Sequence, residues 1–508
     1  MPFYCYYGRI TNHLLGKVMR RKGMFCFLFL TSFHWKAELV FVPMPVMGHL
    51  VSTVELAKLL VDLNSNLSIT VLIIKTPYDP NLTAYIDSLI ADTVTISTRI
   101  KFINLPQDEA QKGIPPNKFM TTIIQIQRPH IKEAIAKIVQ YSNSVPNSPR
   151  LVGFVLDMFF TALVDLANEF GVASYIFYTS SAAFLGFQFY MQALRDEQNV
   201  DITKLKGSDA EFTIPSYVNP IAAKFFPPLM FKLETLIVLL DVARELREVK
   251  GIMVNSFLEL ESHAVDSFSN GEYPAVFPVG PILNLKSESR VHQNSNIMKW
   301  LDEQPLSSVV FLCFGSMGSF GGDQVKEIAR ALEQSGHRFL WSLRQPPVEV
   351  MMLSSTNYEN VEEVLPEGFS KRTATIGKII GWAPQVAILG HPAIGGFVSH
   401  CGWNSTLESI WFGVPMATWP LYAEQQLNAF QMVMELGLGV EITWTDATVE
   451  IVSAENIERG IKCLMEQDSD VRNRAKEMSK QSRKALMEGG SSHSTLCRFI
   501  DDVIRNMP

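Results

Sequence analysis

The sequence predicts an α/β protein built as two doubly wound domains whose parallel sheets face one another across a cleft. Three observations predict it. Short β-branched or aromatic runs recur at intervals that leave room for a helix between them. A polar stretch divides these runs into two series of similar length. Polar and small residues follow the runs in both series, at the carboxyl ends where open parallel sheets place their ligands.

The first series comprises 37–42 (AELVFV), 69–74 (ITVLII), 100–105 (IKFINL), 151–156 (LVGFVL), 173–177 (ASYIF) and 251–254 (GIMV). Most runs are predominantly apolar and lack strict alternation, as expected of strands buried on both faces. After Gly280-Pro281 comes 286–296 (KSESRVHQNSN), which has almost no apolar content and reads as an inter-domain linker. The second series comprises 309–314 (VVFLCF), 338–343 (RFLWSL), 377–381 (GKIIG), 395–399 (GGFVS) and 414–418 (VPMAT). The expected organisation is a leader over 1–35, a first domain over 36–280, a linker over 281–298, a second domain over 299–480, and a terminal helix over 481–508.

Length and composition agree with this division. The chain has 508 residues, against roughly 100 to 200 per domain. A 47% hydrophobic and 19% charged composition excludes a disordered chain. A net charge of −7 with no Lys/Arg-rich block excludes a nucleic-acid binder. Six cysteines without a CxxC pair suggest neither a disulfide framework nor a zinc ribbon, which fits a reducing compartment. At the start, the basic stretch 19–23 (MRRKG) precedes an apolar run, 24–33 (MFCFLFLTSF). That run is shorter than the ~20 residues needed to span a bilayer, and no small-residue cleavage site follows. It reads as a leader outside the fold, with no stable membrane insertion.

The residues after each run supply the candidate chemistry. In the first half they are 43–49 (PMPVMGH), Asp157 and Thr179-Ser180-Ser181; in the second, Gly315-Ser316-Met317-Gly318, Trp382-Ala383-Pro384-Gln385, 400–405 (HCGWNS) and 419–425 (WPLYAEQ). The glycine-rich stretch 314–322 (FGSMGSFGG) does not match GxGxxG, and the next run ends in Leu343-Arg344 where an NAD site would place a carboxylate. It reads as a loop that lets backbone approach a phosphate. In 395–410 (GGFVSHCGWNSTLESI), His400 closes a strand, Gly402 permits a turn, and Asn404 or Ser405 can cap a helix whose free N–H groups suit a pyrophosphate. Asn404 and Glu408, four apart, should share a face of that helix. His49, with an ordinary pKa of ~6.5, suits a general base, and Asp157 could accept its other ring N–H. Asp468-Ser469-Asp470 superficially matches a metal-binding DxD but sits in a charged stretch away from the runs, and reads as a loop or helix start.

From Trp382 to Gln425 the sequence WAPQVAILGHPAIGGFVSHCGWNSTLESIWFGVPMATWPLYAEQ resembles the 44-residue signature box of plant family-1 UDP-sugar glycosyltransferases of secondary metabolism. The segments AELVFVPMPVMGHLVSTVELAKLL, LVGFVLDMFF and FGSMGSF are similar to the same family, so the resemblance runs from about Lys36 to the C-terminus. It implies a GT-B fold, with acceptor bound mainly by the first domain and UDP-sugar mainly by the second. It implies that Trp382 stacks on uracil, that Ala383 and Gln385 hold base and ribose, and that Glu408 takes the ribose hydroxyls. His400, Asn404, Ser405 and Ser316 would hold the diphosphate, and Trp403, Glu424 and Gln425 would contact sugar hydroxyls. A Gln at the final position accompanies glucose in this family, which points to UDP-glucose.

His49 and Asp157 would form the catalytic pair. The implied reaction is inverting transfer of glucose to a hydroxyl of a flavonoid, phenylpropanoid or triterpenoid, giving a β-O-glucoside. No cofactor or metal is expected, with His400 and the helix N-terminus carrying the charge of the leaving diphosphate. A monomer in the cytosol is expected. The sequon Asn404-Ser405-Thr406 falls in the implied diphosphate site, where a glycan would block the donor.

Overall fold

In the first strand, β1 (Ala37–Val42), every residue is buried, and alternate side chains enter two different cores. Val40 and Val42 join the cluster with Phe154, Phe160 and Phe187, whereas Leu39 and Phe41 join the one with Tyr175 and Phe499. A strand with apolar partners above and below shows no polar alternation, and its single polar residue, Glu38, is buried with its carboxylate accepting from the Thr70 hydroxyl. The computed structural model describes residues 36–76, 79–91, 97–107, 111, 114, 118–285, 296–346, 355–443 and 451–507. The leader and 286–295 of the expected linker lie outside the described residues.

The first sheet adds β2 (Leu67–Ile73), β3 (Ile100–Asn104), β4 (Arg150–Asp157), β5 (Ala173–Tyr178), β6 (Gly251–Val254) and β7 (Ala275–Pro278). Its order is β3-β2-β1-β4-β5-β6-β7, parallel throughout. The order reverses between β1 and β4, so the loops after these two strands flank a topological switch point. The second sheet contains β8 (Val309–Cys313), β9 (Arg338–Ser342), β10 (Gly377–Ile380), β11 (Ile394–Ser399), β12 (Met416–Thr418) and β13 (Gly439–Glu441). Its order, β10-β9-β8-β11-β12-β13, is again parallel and reverses between β8 and β11. Val310 and Leu312 pack on one side of this sheet, and Val309, Phe311 and Cys313 on the other.

Two strands of these parallel sheets were not expected from the sequence, nor were two short antiparallel ribbons, Glu211–Phe212 with Ile221–Ala222 and Arg344–Gln345 with Thr356–Asn357. β7 and β13 are edge strands of four and three residues, and β7 ends in Pro278. Pairing on one side only allows proline and polar residues, so neither has the apolar run of an inner strand.

The last helix, Ser491–Arg505, packs on the first sheet. Leu496, Phe499, Ile500 and Val503 enter the core that holds Leu39 and Phe41. The Tyr175 hydroxyl donates to Asp502 Oδ2 at 2.9 Å, and the Tyr175 and Phe499 rings meet edge to face at 5.0 Å. Asp468-Ser469-Asp470 is a helix start: Ser469 caps the helix Asp470–Leu486 by accepting from Arg472 N–H, and Asp470 occupies the first turn. Among the described residues, no helix is long and apolar enough to cross a membrane, and Cys313, Cys401, Cys463 and Cys497 are unpaired.

Candidate active site

The loops after the strands of one sheet meet those of the other, through apolar packing such as Tyr217 and Phe225 against Phe430 and through hydrogen bonds. Asn404 Nδ2 donates to Gly48 O at 3.0 Å, Trp403 Nε1 to Asn255 O at 2.7 Å, and Ser180 Oγ to Glu424 Oε1 at 3.1 Å. Deeper in the seam, Gln431 Nε2 donates to Glu261 Oε1 at 2.9 Å. Glu261 also accepts from the N–H groups of Ala182 and Ala183 at the start of the helix Ala182–Asp196.

His49 lies in the first turn of the helix Met47–Leu63, which follows β1 directly. Its Nδ1 is 2.7 Å from Asp157 Oδ2 at the end of β4, so the switch point brings the expected pair together. The carboxylate is fully buried, and its other oxygen accepts from Phe159 N–H at 3.0 Å. The His49 side chain keeps 20% exposure and faces the Phe159 ring at 5.5 Å between centroids. Burial alone would lower its pKa. The Asp157 charge and hydrogen bond, with a smaller contribution from Glu424, outweigh that and raise it above 6.5. Thr179 Oγ1 lies 3.1 Å from the same nitrogen.

Opposite stands the helix Trp403–Phe412. Its N-cap is Gly402, which offers no side chain, and the cap of Met47–Leu63 is Val46, also without a side-chain bond. The expected capping by Asn404 or Ser405 does not occur, because both residues lie inside the first turn. Asn404 instead reaches the other domain, and Gly48 is what allows it: a Cβ there would sit 2.9 Å from Asn404 Nδ2. Asn404 and Glu408 lie four apart in this helix, as expected. Ser405 and Glu408 meet on one donor, since Gln385 Nε2 donates to Ser405 Oγ at 2.8 Å and to Glu408 Oε2 at 2.7 Å. The N-terminus of Trp403–Phe412 thus presents backbone N–H groups without a competing cap, an arrangement that suits an anion.

His400 sits between the loop after β8 and this helix. Cβ atoms added at Gly315 or Gly402 would lie 2.7 and 2.6 Å from its Nε2, and Gly315 also has φ 77°. Glycine at 315 therefore makes room for the imidazole as well as for a ligand. Burial pushes the His400 pKa down to about 4, so the ring is neutral near pH 7. It can give a hydrogen bond to a diphosphate without bringing a positive charge, and the helix N-terminus supplies the favourable electrostatics. His400 Nδ1 and Asn404 Oδ1 are buried without a protein partner, as befits a site made for a polar ligand.

The remaining expected residues divide. Trp382 is 45% exposed beside buried Ala383, as a stacking platform must be, and Ser316 is exposed in the loop after β8. Trp403 is different. Its indole is 3% exposed in the core, and its N–H is spent on Asn255, so only its backbone can meet a sugar. Gln425 Oε1 accepts from the N–H groups of Leu421 and Tyr422 at 2.9 and 3.0 Å, and its side chain also bonds the Tyr422 hydroxyl, so the amide is held in place at the start of the helix Gln425–Phe430. Glu424 is half-buried at the start of the helix Gln425–Phe430. Among the described residues, no group of three His, Cys, Asp or Glu side chains could hold a metal ion.

The sequence reading passed over Asn255, Asn428 and Glu261. Asn255 directly follows β6, so the strand-end rule could have found it. Asn428, one turn after Glu424, donates to Cys401 O at 3.0 Å. Glu261 carried no signal, being an ordinary helical glutamate in the sequence.

The chain is similar to known proteins over most of its length. Residues 256–481 match the family model described as UDP-glucoronosyl and UDP-glucosyl transferase. The chain is 56% identical over 479 residues to UDP-glucose flavonoid 3-O-glucosyltransferase 6 of Fragaria ananassa, covering 92% of this chain and 98% of that protein. It is 54% identical to anthocyanidin 3-O-glucosyltransferase 1 of Manihot esculenta, covering 90% and 100%. Among solved structures, a UGT transferase from Siraitia grosvenorii in complex with UDP superposes with TM-score 0.84 at 50% identity, covering 92% of this chain and 100% of that one. Medicago truncatula UGT71G1 complexed with UDP-glucose gives 0.81 at 40% identity, covering 93% and 100%.

Proposed function

The chain belongs to the plant UDP-glycosyltransferases, with their GT-B fold, and from that premise we propose that it transfers glucose from UDP-glucose to a hydroxyl of a small lipophilic plant metabolite with inversion at the anomeric carbon. The observation that carries this reading is the 2.7 Å His49–Asp157 pair, set beside a seam whose other side offers an uncapped helix N-terminus. Flavonoids are the acceptor class favoured by the relatives' names; triterpenoids and phenylpropanoids are further candidates.

The chemistry follows from the residues. Asp157 accepts the Nδ1–H of His49, so Nε2 keeps its lone pair and takes the acceptor's hydroxyl proton. The acceptor oxygen forms its bond to the anomeric carbon as the bond from that carbon to the diphosphate breaks, and UDP leaves with the electron pair. A single displacement turns an α-linked donor into a β-glucoside. The imidazolium formed is stabilised by Asp157 and, through space, by Glu424. The helix N-terminus at Gly402, with Ser405, Asn404 and neutral His400, takes the charge of the leaving group without a metal. Trp382 stacks on the base, Gln385 and Glu408 hold the ribose, and Glu424 with Gln425 reads the sugar. A cytosolic location suits this reading, since the sequon at Asn404 lies inside the donor site.

The deciding experiment measures UDP release from several UDP-sugars against a panel of phenolic and terpenoid acceptors, with product masses. A one-hexose mass gain dependent on UDP-glucose and on an acceptor is expected. UDP release that does not depend on an acceptor would overturn the transfer reading.

A further inference from the structure

Thr179 directly follows β5, and its side chain is 93% buried beside the catalytic pair, at 7% exposure. Its hydroxyl donates to Met158 Sδ at 3.6 Å, and its Oγ1 stands 3.1 Å from His49 Nδ1. The same nitrogen is 2.7 Å from Asp157 Oδ2. A carboxylate only accepts, so the shared proton resides on Nδ1. With its own hydrogen directed to the sulfur, Thr179 turns a lone pair to that N–H as well. The N–H is therefore shared between two acceptors from two neighbouring strands, β4 and β5.

We propose that Thr179 is a second positioning residue of the catalytic base, taking part of the His49 Nδ1–H and fixing the plane of the ring. A single hydrogen bond to Asp157 leaves the imidazole free to pivot about that contact; a second acceptor on a different strand removes the pivot. Two acceptors also favour the charged form over the neutral one, so the hydroxyl makes His49 a stronger base. The charged groups facing His49 are Asp157 from the end of β4 and Glu424 from the opposite domain, with the Phe159 ring alongside. None of these is altered by a change at position 179.

The proposal rests on His49 being the base. The test compares T179V, which keeps the shape and removes the hydroxyl, with T179S and with H49A, each assayed across pH with UDP-glucose and a weakly acidic acceptor. T179V should lose roughly tenfold in kcat, and its acid limb should move to lower pH, with UDP affinity unchanged. T179S should restore most of both. A strongly acidic phenol, which ionises unaided, should spare T179V. Equal loss on both acceptors, a wild-type pH profile, or a loss confined to the KM of the donor would overturn the proposal, the last by placing the hydroxyl on the sugar. Full activity of H49A on the weak acid would instead overturn the assignment of the base itself. Circular dichroism and thermal unfolding establish that each variant is folded.

Discussion

Trp403 donates its indole N–H to the backbone carbonyl of Asn255 at 2.7 Å, with the indole only 3% exposed. The bond pins the first turn of a helix in one domain to the residue after β6 in the other. Asn255 is itself fixed, since its Oδ1 accepts from Ile282 N–H at 2.7 Å. The position of the anion-binding helix end is thus set by the neighbouring domain as well as by its own.

Replacing Trp403 by Phe removes this donor and leaves the Asn255 carbonyl unsatisfied. A loss of about 1 to 3 kcal/mol in stability is expected, together with weaker UDP binding. Denaturant unfolding and UDP titration measure the two, and wild-type values in both would refute a role for the bond in docking the helix.

Asp157→Asn keeps the shape beside His49 and removes the charge. Turnover should fall by about 10² or more. Burial lowers the His49 pKa and Asp157 more than reverses it, so the wild-type acid limb of kcat/KM should lie above pH 6.5 and shift downward in the variant. The stability side has a definite sign. A histidine whose pKa is raised by folding contributes stability that is present in full below pH ~6.5 and fades as pH rises through the folded value. The gap in stability between wild type and variant should therefore narrow from pH 6 upward; a gap that widens would contradict the pairing.

Glu408 and Ser405 are held by a single Gln385 amide. Glu408→Gln should raise the KM for the donor by about tenfold, and kcat should change much less, because the ribose is remote from the reacting carbon. An effect on kcat alone would show that Glu408 does not serve the donor's ribose.

Gly315→Ala puts a methyl group 2.7 Å from His400 Nε2 in a left-handed backbone conformation. Backbone strain of about 1 to 2 kcal/mol adds to displacement of the imidazole. UDP affinity should fall by at least tenfold; calorimetry giving the wild-type affinity would mean that His400 does not contact the diphosphate.

How much of this was legible follows from where each signal resides. β1 and β8 are unmistakable in the sequence, because burial on both faces leaves apolar residues at every position but Glu38. β7 and β13 were hidden by being short edges. His49 and Asp157 stand out individually at strand ends, and the parallel order around the switch point then brings them together. Pairings across the seam could not be read. Nothing in the chain indicates that Asn404 goes to Gly48 and not to its own helix cap, or that Trp403 turns inward, since both depend on how two separately folded sheets dock. The neutrality of His400 could not be read for a related reason: its burial involves two glycine turns far apart in sequence.

The closing helix has a consequence for anyone recombining this scaffold. Phe499 and Val503 complete the core beneath β1, although they lie more than 450 residues away along the chain. A chimaera made by joining the front half of one relative to the back half of another would therefore bring a foreign tail into the acceptor-side core. Exchanging residues 489–508 together with the front half, as though the polypeptide were circular, keeps that core native, and such grafts should melt higher than those cut only once.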